Sequence, residues 1–141
     1  MGVFYHIEPL DDEMATLLDE MGGTAPKFDK PSRNPTPAEV REACATLGGF
    51  EVEFNVKPKS RWQAIITNRS DAEGTIVNLE KFKGDEEKPL AMWFEKGPPA
   101  LILQVVKELA KWCGPLVVVP DTGDVPIAVT AKSVVKKLVA E

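Results

Sequence analysis

Between residues 50 and 95 apolar and polar side chains alternate, and this restricts the chain to a half-buried sheet more firmly than any other feature. Phe50, Val52, Phe54 and Val56 interleave with Glu51, Glu53, Asn55 and Lys57, and a period of two sends the two sets to opposite faces of a strand. Residues 61–68 repeat the pattern with Trp62, Ala64 and Ile66 on one face. Over residues 75–82 it sets Thr75, Val77 and Leu79 against Ile76, Asn78 and Glu80. Over residues 90–95 it sets Leu90, Met92 and Phe94 against Trp93. The connections are short and polar, so consecutive segments are expected to pair as an antiparallel meander. One face is apolar and the other mixed, which calls for helices on the apolar face.

The flanking sequence supplies those helices. Residues 99–113 carry Leu101, Ile102, Val105, Val106, Leu109, Ala110, Trp112 and Cys113 around a narrow polar face, the mark of a helix buried over much of its surface. Gly114-Pro115 ends it. Thr36-Pro37-Ala38-Glu39 has the composition of a capping box, opening a helix to about Leu47 with Val40, Ala43 and Cys44 inward. Residues 9–21 read as a short helix with Asp11, Asp12 and Glu13 in its first turn, where the helix dipole favours negative charge. Residues 116–119 and 125–129 read as a hairpin, and Thr130 as the cap of a last helix over residues 131–140. The fold class is therefore α+β: an antiparallel sheet of about five or six strands, a meander plus a C-terminal hairpin, with helices mainly on one face. Three regions follow: an acidic segment over residues 1–21, a Pro-rich linker or lid over 22–36, and one α+β domain over 37–141. At 141 residues the chain is long enough to bury roughly two thirds of its unfolded surface.

Composition excludes several functions. Acidic residues number 22 and basic residues 17, for a net charge of −5, which lacks the basic footprint of a nucleic-acid binder. The acid is concentrated at the start, because residues 1–21 hold six carboxylates and no Lys or Arg, whereas residues 61–141 are neutral. No apolar run approaches the roughly 18 residues of a membrane span, and the N-terminus has no secretory pattern. A cytoplasmic protein with free Cys44 and Cys113 is the expectation.

Few chemical motifs are present. Asp121-Thr122-Gly123 matches the core of the aspartic-protease site, but too little chain follows for the rest of that architecture, and Asp and Gly suit a hairpin turn. His6 is the only histidine, and neither HExxH nor paired Cys ligands occur, so no metal site is expected. Cys113 lies at the C-terminal pole of its helix, the wrong end to stabilise a thiolate. Phosphate loops are absent, and no cofactor is expected.

One position points to an interaction. Trp93 has the opposite phase to Met92 and Phe94, so it faces away from the helices; by the same phasing Ile65, Ile76 and Phe82 share that second face with Arg61, Glu80 and Glu95. Either the N-terminal segment or the last hairpin covers this face, or it is a partner or ligand surface. Tryptophan is over-represented in interface hot spots, and Asp11, Asp12 and Glu13 offer a second docking surface for a basic partner. The functional expectation is a non-enzymatic accessory protein of the bacterial kind that acts by protein–protein interaction, in the manner of an acidic inhibitor or immunity-type protein masking a basic, nuclease-like toxin. The alternative is a small-molecule binder or a carboxylate-based hydrolase, using Glu51, Glu53, Arg61, Glu80 and Glu95 on the second face. Self-association through the same face is a third option.

Overall fold

A computed structural model describes residues 3–23, 25–27, 32–57 and 60–135. The meander forms as its alternation requires: β2 (Phe50–Lys57), β3 (Arg61–Asn68), β4 (Gly74–Leu79) and β5 (Met92–Glu95) pair in sequence order, each antiparallel to the last. Gly74 opens β4 so close to β3 that a Cβ there would lie 1.8 Å from the Ile66 carbonyl oxygen, and only glycine fits.

The sheet has seven strands, and the additional one is β1 (Phe4–Pro9). It lies inside the sheet, antiparallel to β5 on one side and to β6 (Leu116–Pro120) on the other. β7 (Ile127–Val129) pairs with β6 and completes the order β2-β3-β4-β5-β1-β6-β7. The segment over residues 1–21 thus supplies a central strand as well as the helix α1 (Asp12–Glu20). That helix is shorter than its periodicity suggests, because Pro9 ends β1 and Asp11 is the N-cap, accepting from the Met14 N–H at 2.8 Å.

Two helices cover one face. In α2 (Pro37–Ala45) the capping box is complete, with Thr36 Oγ1 accepting from the Glu39 N–H and Glu39 Oε1 accepting from the Thr36 N–H. Along α3 (Pro99–Cys113), Leu101, Ile102, Leu103, Val105, Val106 and Leu109 are buried against Trp62, Val77, Phe94, Ile7 and Val118. Trp112 departs from the inward stripe expected of it and is 41% exposed. It lies four residues beyond Glu108 and next to Lys111, on the polar side of the helix.

Within the Pro-rich stretch, residues 32–36 are tied down. The Ser32 N–H donates to the Leu10 carbonyl, the Arg33 N–H to that of Cys113, and the Leu90 N–H to that of Pro35. The last helix expected from residue 131 does not start there: residues 131–134 are turn and irregular backbone, with Thr130 Oγ1 accepting from the Lys132 N–H, and the part beyond Val135 lies outside the described residues.

Glu86 anchors the long β4–β5 connection. It accepts from Arg41 Nε at 2.7 Å and from the indole Nε1 of the buried Trp62 at 2.8 Å, while Arg41 stacks over the Phe54 ring. The Arg41 hydrogen bond holds the Glu86 carboxyl below the usual carboxylate range, against the upward pull of burial. Its contribution to stability is complete above the unfolded carboxylate range and is lost as pH falls through the lower folded value. Glu86→Gln is expected to lower the urea midpoint at neutral pH and to flatten the acid side of the stability profile; an unchanged profile contradicts the anchor. Phe94→Ala, at a fully buried central position, is expected to cost about 3–5 kcal/mol in the same assay.

Candidate functional site

The second face of the sheet is covered at one end only. α1 lies across it with Leu10 and Leu18, and these pack with Met14 and Ala15 against Val117, Val119 and Ala128 of β6 and β7. From β1 to β2 the side chains on this face are half-buried or exposed, apart from Asn78. Trp93 is half-buried there, and its ring meets that of Phe4 edge-on, with centroids 5.3 Å apart and planes at 72°. Phe4 is 40% exposed.

Strand register orders the face into rows. One row runs Glu53, Ile65, Ile76, Glu95, Phe4, and the next runs Asn55, Gln63, Asn78, Trp93, His6. The aromatic pair therefore has carboxylates and small apolar groups on one flank and a line of amides on the other. That line is hydrogen-bonded across three strands: Asn55 Nδ2 donates to Gln63 Oε1 at 3.4 Å, and Gln63 Nε2 to Asn78 Oδ1 at 2.7 Å. It ends there. Asn78 is only 8% exposed, and its buried Nδ2 finds no acceptor among the described residues. A buried donor left in this state costs about 1–3 kcal/mol.

Beside Asn78 the face dips into an open depression of about 380 Å3, lined by Arg61, Gln63, Asn78, Glu80, Lys81 and Trp93. Lys81 turns the chain at the end of β4 with a left-handed φ of 57°. That reversal breaks the strand parity, and Phe82 lands in the core beneath the helices at 3% exposure. The expectation that Phe82 shares the second face is therefore corrected.

The other expected site residues divide into two groups. Trp93, Arg61, Glu80 and Glu95 are together on the open side, with Arg61 and Glu80 at the rim of the depression. Asp11 is engaged as the α1 cap, and Asp12 and Glu13 are exposed in its first turn on the same side of the sheet. Phe4, His6, Gln63, Asn78 and Lys81 are additions that sequence reasoning missed. Two of them lie on the unrecognised β1; the two amides became legible only once register aligned them.

Glu53 and Glu95 share a row but stand three strands apart, roughly 14 Å at ordinary strand spacing, beyond the about 5–10 Å of paired glycosidase carboxylates. Among the described residues no group of three or more His, Cys, Asp or Glu is placed to hold a metal, and no helix is long and apolar enough to cross a membrane. The chain matches no protein family, no curated protein and no solved structure in comparison with known proteins.

Both thiols are unbridged and buried on the helical side. Burial pushes the Cys44 thiol up to about 12, and burial with the neighbouring Glu39 carboxylate pushes Cys113 to about 12 as well, against the opposing Arg33. At neutral pH neither supplies thiolate. The native protein is expected to resist a thiol-titrating disulfide reagent, and the denatured protein to react at both cysteines; prompt native labelling contradicts this placement.

Proposed function

We propose that the protein is a non-catalytic binding protein that docks a basic protein partner on the open side of its sheet, with Phe4 and Trp93 at the centre of the contact. The observation that carries this reading is an aromatic pair held half in solvent on a rigid face that α1 leaves uncovered. Aromatic anchors on a pre-organised surface give large contact area at low entropic cost, and such residues dominate interface energetics. Charge supports the sign of the partner. Glu8, Glu51, Glu53 and Glu95 project from this side and α1 adds Asp12 and Glu13, against the fewer cations Lys57, Arg61 and Lys81. An acidic surface around an apolar centre accelerates encounter with a basic protein and disfavours acidic ones. An inhibitor or immunity-type protein that masks a basic, toxin-like enzyme is the form of this activity that the charge distribution favours.

The test compares proteins retained by the immobilised wild type with those retained by Phe4→Ala and by a Glu53→Lys, Glu95→Lys double variant. A basic protein is expected on the wild type at about 50 mM salt, weakened at about 500 mM, where exposed charges are screened within a few ångströms. Its retention is expected to fall at least about tenfold on Phe4→Ala and to vanish with the charge reversal. Equal retention by all three proteins contradicts the reading.

A further inference from the structure

We infer that the depression beside Trp93 is a binding site for a small planar monoanion, an aromatic carboxylate in chemical class. Three observations carry it. The space is about 380 Å3, within the roughly 300–1,000 Å3 of ligand pockets, and one wall is the half-buried Trp93. Two cations line it, Arg61 and Lys81, and neither forms an ion pair among the described residues, unlike Arg33, Arg41 and Lys111. Asn78, which also lines it, ends the amide row with a buried donor that has no acceptor.

These groups specify the ligand. A planar guanidinium and an ammonium both donate to a carboxylate, with the guanidinium matching it bidentately, and the Asn78 Nδ2 in the same lining is a donor still without an acceptor. Glu80 at the rim opposes two cations with one carboxylate, so the site carries a net single positive charge and suits one negative charge rather than two. The indole gives a flat ring a stacking partner. Gln63 is already committed to Asn55 and Asn78, and it fixes the Asn78 amide in place. The site shares Trp93 with the proposed protein contact, but its donors Arg61, Lys81 and Asn78 are its own, and the titration below reads it without any protein partner.

The test titrates the full chain with benzoate, neutral benzamide and inorganic phosphate, following the Asn78 side-chain amide and the Trp93 indole N–H by 15N NMR. Benzoate is expected to shift both signals saturably, benzamide to bind at least about tenfold more weakly, and phosphate to move neither signal at the same concentration. Arg61→Gln and Asn78→Leu are each expected to weaken benzoate at least about tenfold. Asn78→Leu removes the buried unpaired donor, so it is also expected to leave the ligand-free protein as stable as the wild type or more so, which separates lost binding from lost folding. The inference is overturned if benzoate at about 10 mM, enough to fill a ~1 mM site, leaves both signals unmoved. It is overturned equally if benzamide matches benzoate, if phosphate binds more tightly, or if neither substitution weakens binding. A negative result here leaves the Phe4-dependent retention of a basic protein untouched, so the two readings fail separately.

Discussion

The sheet depends on the pairing of β1 with β5 and β6. These two strands run in the same direction and are joined by α3, which carries the chain over one face and returns it one strand position too far for direct pairing. The gap is one strand wide, and β1 fills it antiparallel to both neighbours, from Phe4–Glu95 to Ile7–Met92 on one side and from Tyr5–Pro120 to Pro9–Leu116 on the other. Without β1, two rows of N–H and C=O groups would stand unpaired in the middle of the sheet, at a cost no compact fold sustains. The first residues of the chain thus join the β2–β5 meander to the β6–β7 hairpin, and Ile7 closes the core between them at 2% exposure.

The same strand makes the two faces unequal. Tyr5 and Ile7 point toward the helices, while Phe4, His6 and Glu8 point the other way. The chain then turns into α1, which reaches across only as far as Val117, Val119 and Ala128. The open area that remains has its aromatic centre where β1 and β5 meet, its carboxylates along one row and its amides along the next. A sheet with both faces buried would have no reason to hydrogen-bond Asn55, Gln63 and Asn78 in a line across three strands, because apolar side chains fill such positions at lower cost. On an open face the line is compatible with water along most of its length, and it is its buried end at Asn78 that stands out.

Much of this was legible in the sequence where a single local rule governed. Strict alternation gave β2 to β5 and placed Trp93 opposite Met92 and Phe94. The Thr36–Glu39 spacing gave the α2 cap, and the width of the apolar stripe gave α3. β1 was hidden because its six residues put aromatics at both Phe4 and Tyr5, which erases the alternation, and because Pro9 invites a helix start. Phe82 was misplaced because parity counting assumes extended backbone, and a left-handed Lys81 cancels it. The depression and the amide row depend on which residues of different strands lie side by side. Register between strands distant in sequence is a property of the whole sheet, so neither feature has a local signal.

Native-state hydrogen exchange of β1 is the most direct measurement of this arrangement. The amides of Tyr5, His6, Ile7 and Glu8 are expected to exchange in the slowest class, with the same protection as Val117 and Val118 of β6, because opening β1 exposes the middle of the sheet. Fast exchange of those amides, as in a frayed terminus, while β5 and β6 remain protected would contradict the account.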